Sequence, residues 1–173
     1  MKGHVKFILT PILVVSLGLL NKVNGQQSSE YFNFWKEGLW KSEITIYNKD
    51  TIPEKDSFAV HKLQNKNAFN EKWKIFIGEG EYVDAMVTRA YDQETKRWKL
   101  FYVDDVNAQI WDSEIIEDRI YFIKKFTYDG NTFYSRQAWS LESEDQVLRT
   151  IERSEDKKNW SIRYWQIFKL VNQ

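Results

Sequence analysis

A chain of 173 residues is long enough for one sizeable core and too short for two ordinary domains. Its 25 basic and 25 acidic residues cancel, which removes the long-range positive field of a nucleic-acid binder. The absence of cysteine excludes disulfides, thiolate metal sites, cysteine nucleophiles and lipidated-cysteine anchors, and leaves a chain of mean hydropathy −0.60 in which 16% of residues are aromatic.

Residues 1–25 read as a secretory signal peptide. Lys2 and Lys6 precede a 14-residue, mostly apolar run from Phe7 to Leu20, and Val23 and Gly25 are the small residues before a cleavage point. The run falls short of the roughly 20 apolar residues that a bilayer requires, so no membrane span is expected after cleavage. Lys2, Lys6 and Lys22 leave with it and no acid does, so the domain of residues 26–173 carries three more acids than bases. The new terminus Gln26-Gln27 resembles those of exported proteins from Bacteroidetes, which implies a periplasmic or secreted location.

The next segment, Gln26 to Glu37, lacks strand alternation. Ser28 or Ser29 is placed to cap a short helix with Tyr31, Phe32 and Trp35 on one side, and such a helix fits as a plug across one end of a barrel.

From Gly38 onward the apolar residues recur with period two. Trp40, Ser42, Ile44 and Ile46 share one face, as do Trp73, Ile75 and Ile77, and later Trp160, Ile162, Tyr164, Gln166 and Phe168. The same period recurs around Ser57 to Asn65, Tyr82 to Tyr91, Lys96 to Val103, Gln109 to Ile116, Arg119 to Tyr128, Thr132 to Leu141 and Gln146 to Arg153. Short polar turns separate these runs. Asp129-Gly130 is the sharpest, because a two-residue hairpin turn needs positive φ. About ten strands at this spacing leave no room for crossover helices, which excludes a parallel α/β fold. The expectation is an all-β, antiparallel up-and-down β-barrel of about ten strands, closed on itself and capped by the N-terminal helical plug.

Three motifs carry a resemblance. Gly38-Leu39-Trp40 looks like the Gly-x-Trp that opens lipocalins, where the glycine lets the chain bend and the tryptophan packs across the floor. Arg89-Ala90-Tyr91-Asp92 followed by Trp98, and Arg153 to Trp160, are similar to the central hairpin and last turn of uncharacterised, lipocalin-like bacterial domains. Lys157 and Lys158 stand where that last turn has glycines. The resemblance implies a calycin-type barrel, usually exported and without an assigned activity, and it transfers no catalytic residue.

Chemical motifs are sparse. His61, the one histidine outside the signal peptide, has no Gly-x-Ser-x-Gly partner and reads as solvent-facing; ligating haem would require the Ala59-His61-Leu63 face to point inward. Asp104-Asp105 and Asp112 with Glu114 lack calcium-loop spacing and read as turn or strand-end acids. No phosphate loop or dinucleotide fingerprint occurs. No catalytic residue, metal ligand or cofactor is assigned.

Polar residues on apolar strand faces are more informative: Ser42, Arg89, Gln137, Arg149 and Gln166. Each must be satisfied by a neighbour, a water or a ligand. The expected pocket lining is Trp73, Arg89, Trp98, Tyr102, Gln137, Trp139, Arg149 and Tyr164, over a floor of Trp35, Gly38 and Trp40. Either Arg149 or Arg163 is placed to cover the floor tryptophan, as similar arginines do in lipocalins.

The leading expectation is an exported monomer or weak dimer that binds a small hydrophobic or amphipathic molecule in its lumen without covalent chemistry. The alternatives are a cell-envelope interaction or structural module with a solid core, and a calycin-like enzyme of isomerase or cyclase type. The volume of the lumen separates the first two.

Overall fold

In the computed structural model, which describes residues 26–53, 55–64 and 67–171, four connections are two-residue turns whose central residues both have positive φ. They are Asn48-Lys49, Glu79-Gly80, Glu117-Asp118 and Asp129-Gly130. That conformation follows the right-handed twist of the flanking strands and returns the chain beside itself. The proposed signal peptide lies outside the described residues.

The strands are β1 (Gly38–Tyr47), β2 (Asp50–Ile52), β3 (Ser57–Lys62), β4 (Ala68–Gly78), β5 (Glu81–Asp92), β6 (Arg97–Val103), β7 (Ala108–Ile116), β8 (Arg119–Tyr128), β9 (Asn131–Ser143), β10 (Gln146–Ser154) and β11 (Ser161–Val171). Each strand from β3 to β11 pairs antiparallel with the next, and β1 closes the ring against β3 and β11. The result is the expected all-β barrel of ten antiparallel strands. The short β2 is additional: it pairs with the upper half of β1 at Thr45 to Tyr47, in the same column as β3. Among the described residues, closure leaves only short unpaired stretches in the ring, such as β4 beyond Lys74 on its β3 side.

Alternation carries Trp40, Trp73, Trp98, Trp111 and Trp139 into the interior, all buried. Four register shifts interrupt the pairing among the described residues, and two of them, on β1 and β11, correct the expected faces. On β1 the pairing steps from Ser42 opposite Phe168 to Ile44 opposite Ile167, so Glu43 is an extra residue. Beyond it Thr45 is buried and Ile44 is 42% exposed, the reverse of uninterrupted alternation. On β11 Tyr164 opposes Ile151 while Ile162 opposes Glu152, so Arg163 is extra. Ile162 therefore faces out, and Trp160 lies before the strand against Arg136, 4.2 Å from its guanidinium, instead of joining the interior tryptophans.

The plug is present but is not a helix. Tyr31, Asn33 and Trp35 donate their N–H groups to the carbonyls of Ser28, Glu30 and Phe32, three residues back, giving a run of tight turns. Phe32 and Trp35 are buried nonetheless. Trp35 meets Trp40, Phe58 and Trp139 with ring centroids 5.0 to 5.4 Å apart. Gly38 begins β1 at φ 131, a conformation that a side chain strains, and a Cβ there would meet the Leu170 side chain at 3.1 Å.

Candidate functional site

The floor is built around an ion pair that sequence reasoning found only by half. Arg89 on β5 and Glu71 on β4 meet inside the barrel. Glu71 also accepts the Trp73 indole N–H at 2.7 Å. Glu71 carries the same signal that singled out Arg89, a charge on an apolar strand face, since it shares its face with Phe69 and Trp73. Arg89 thus lies beside the floor, 5.9 Å from the Trp35 ring and 5.1 Å from that of Trp139; Arg149 reaches the same Trp139 ring from above, at 5.3 Å, and Arg163 lies against Tyr47.

Side chains of the plug and floor complete the ladder where β6 and β7 part. The Gln27 carboxamide oxygen accepts the Trp98 backbone N–H at 2.7 Å and the Ser113 hydroxyl at 2.9 Å. The Trp98 indole donates to the Ser28 carbonyl, and the Ile120 N–H donates to the Tyr31 hydroxyl. Gln27 lies outside every periodic run, and Ser113, although on the Trp111 face of β7, gains this partner only where the plug docks.

Above this floor lies a cavity of about 140 Å³. Trp73, Arg89, Tyr102, Gln137 and Arg149 line it, joined by Trp111, Gln109 and Ile151. Trp98 and Trp139, expected in the same lining, are packed into the floor, where their large rings contact the plug. Tyr164 lines a separate hollow at the side of the barrel. A cavity of this size holds about five waters at roughly 30 Å³ each, or one six-membered ring.

Arg149 projects from the cavity wall. Its Nε donates to the Gln137 carboxamide oxygen at 3.3 Å and its Nη1 to that of Gln166 at 3.2 Å. Its guanidinium lies 4.9 Å from the Trp73 ring centroid and 5.3 Å from that of Trp139. Gln166 passes the chain on, donating to Asp56 Oδ2 at 2.7 Å. The expected satisfaction of inward polar groups thus holds for Gln137, Arg149 and Gln166; Arg89 is ion-paired with Glu71, but its Nε, like the Ser42 hydroxyl, has no hydrogen-bond partner among the described residues.

The electrostatics follow from burial. Burial lowers the Arg149 guanidinium to about 10, with Asp56, Tyr164 and Tyr102 pulling the other way, so it stays charged at neutral pH. Burial and then the charge of Arg149 lower Arg89, and Glu71 beside it supplies the counter-charge. Tyr102 is pushed up first by burial and then by its hydrogen bond to Asp104, and Tyr164 mainly by burial. Both tyrosines stay protonated at neutral pH and offer hydroxyl donors. The cavity wall therefore presents a cation beside the Trp73 ring, with neutral donors around it.

The residues weighed for other chemistry face outward. Phe58 and Val60 take the interior positions of β3, leaving His61 exposed. Asp112 and Glu114 alternate with buried Trp111 and Ser113 and are exposed. Among the described residues no group of three or more His, Cys, Asp or Glu is arranged to hold a metal.

No family model matches the chain, and no curated protein matches it. Among solved structures it is similar to a protein of unknown function from the DUF3598 family of Nostoc punctiforme, at 9% sequence identity and a TM-score of 0.25. That match covers 84% of this chain and 100% of the other.

Proposed function

We propose that this is an exported, lipocalin-like barrel that binds a small carboxylate with a single-ring or short branched apolar body in its lumen. The observation that carries the reading is Arg149, a charged guanidinium fixed by two carboxamides against the Trp73 and Trp139 rings, in a cavity of about 140 Å³. Such a group pairs a carboxylate through two parallel hydrogen bonds, and indole walls accept the apolar body. The volume restricts the guest to roughly benzene size. Export is supported by the basic and apolar character of residues 1–25.

Isothermal titration with benzoate and benzyl alcohol tests this. Benzoate is expected to bind, benzyl alcohol to bind at least tenfold more weakly, and Arg149→Gln to weaken benzoate by about tenfold or more. Equal binding of the two probes, or no loss in the variant, would remove the role given to Arg149. Native mass spectrometry of protein from its own host then identifies the natural guest.

A second reading, an envelope interaction module, is favoured by one observation. Met86 opposes Val103 and Phe101 opposes Ile110 on the outer faces of β5 to β7, giving an exposed apolar stripe. A pull-down that depends on Phe101 and Ile110 but not on Arg149 would favour it.

A further inference from the structure

The barrel wall is interrupted between β2 and β3. Pro53 has a fixed φ and no N–H to give to a ladder. The pairing of β3 with β4 ends at Ser57 opposite Lys74, although β4 continues to Gly78. At the break, a carboxylate takes the place of the missing backbone acceptor: Asp56 Oδ1 accepts the Phe76 N–H at 2.8 Å. Asp56 is at the same time the residue that Gln166 reaches from the lumen side.

A half-open hollow of about 430 Å³ fills this gap, about three times the lumen cavity of about 140 Å³. Ile52, Ile75 and Ile77 make its apolar wall, and Thr45, Asp56 and Tyr164 its polar base. Ile75 also lines the lumen cavity, so the two spaces share that side chain. Ile77, the extra residue where the β4–β5 register shifts between Phe76 and Gly78, forms an outer lip and is 58% exposed.

We propose that this interruption is a second ligand site, distinct from the lumen, for an uncharged amphiphile whose hydroxyl is held by Asp56 and Tyr164 and whose alkyl body lies on Ile52, Ile75 and Ile77. The charges around the base select the class. A carboxylate head would face Asp56. An ammonium head would face Arg149, joined to Asp56 through Gln166, and Arg163, which donates to the Tyr47 hydroxyl at 2.7 Å beside Tyr164. A hydroxyl meets neither objection. It donates to a carboxylate oxygen, each of which has a lone pair beyond the one already used, and it accepts from the Tyr164 hydroxyl. Medium-chain alcohols and monoacylglycerols have this chemistry.

The probe is 1-decanol, titrated into the labelled protein and followed by amide chemical shifts, with decanoate as the charged control. Saturable shifts are expected at Ile52, Ile75, Ile77 and Gly78, with the Trp139 indole N–H in the floor unmoved, and decanoate is expected to leave these amides in place. Tyr164→Phe should weaken decanol about fivefold through one lost hydrogen bond. Ile77→Asp, at an exposed position that folding does not depend on, should weaken it about tenfold or more by removing apolar contact and placing a charge against the chain. Benzoate, the lumen probe, should not displace decanol, so loss of the lumen reading leaves this one testable by itself. The proposal is overturned if decanol shifts the Trp73 and Gln137 side chains instead, if benzoate competes with it, or if Ile77→Asp binds it as well as the parent does.

Discussion

Glu71 and Arg89 face each other inside the barrel floor, a carboxylate and a guanidinium with side-chain exposures of 0% and 1%. Five aromatic rings, those of Phe32, Trp35, Phe69, Phe122 and Trp139, lie 5.1 to 6.0 Å from the guanidinium carbon. The pair joins β4 to β5 and places a cation against the ring faces that the plug brings down. In such a cage each charge depends on the other, because neither has water to fall back on.

Removing one partner is therefore expected to cost more than removing both. Glu71→Leu leaves the guanidinium buried without a counter-charge and should lower stability by about 3–5 kcal/mol, while adding Arg89→Met should recover much of that loss. Urea denaturation of the single and double variants measures it. Additive losses would mean that the two side chains are not coupled.

Trp35 is the residue through which the plug holds the floor. It is fully buried against Trp40, Phe58 and Trp139, though only a few residues of tight turn support it. Trp35→Ala should cost about 3–5 kcal/mol, comparable to a tryptophan deep in a strand-built core. A loss under about 1 kcal/mol would make the plug an accessory that the barrel does not need.

The barrel was legible in the chain because its two signals are local. Period-two alternation from Gly38 to Leu170 and paired turn residues such as Asp129-Gly130 each require only neighbouring residues to be read. What alternation could not reveal were Glu43 and Arg163, because a bulge is a mismatch between two strands and is invisible in either one alone. The candidate site divides in the same way. Arg89, Gln137 and Arg149 stood out as polar residues on apolar faces, whereas Gln27 meets Trp98 and Ser113 only when the plug docks, 71 and 86 residues away in the chain. Asp56 sits in a break between strands, where no periodic pattern exists to mark it.

The Glu43 bulge makes a paired prediction on adjacent residues. With the extra residue in place, Ile44 faces solvent and Thr45 is buried at 4% exposure beside Gln166. Ile44→Lys should then change stability by less than about 0.5 kcal/mol, whereas Thr45→Lys places an unpaired ammonium inside the barrel and should cost several kcal/mol. Uninterrupted alternation predicts the opposite order. Thermal denaturation of the two variants decides between them.

Acid should weaken two loops at the end of the barrel opposite the plug. Asp156 accepts the N–H groups of Asn159 and Lys158 at 2.8 Å each, then the Asn159 carboxamide at 2.7 Å and the Ser154 hydroxyl at 2.9 Å, and these bonds hold its carboxyl well below the usual carboxylate range. Asp104 is lowered by the Tyr102 hydroxyl and by the N–H groups of Val106 and Asn107 in the same manner. A carboxyl whose folded pKa is depressed adds stability that is present above its unfolded value, about 4, and is lost as pH falls through the lower folded value. The stability difference between the parent and Asp156→Ala should therefore be largest near about pH 6 and shrink toward about pH 2.5, as read from urea denaturation at a series of pH values. Because the loop is exposed, the difference should be small and the cooperativity of unfolding unchanged. A difference that grows on acidification would mean that Asp156 is better accommodated in the fold when protonated, which the four donors around it contradict.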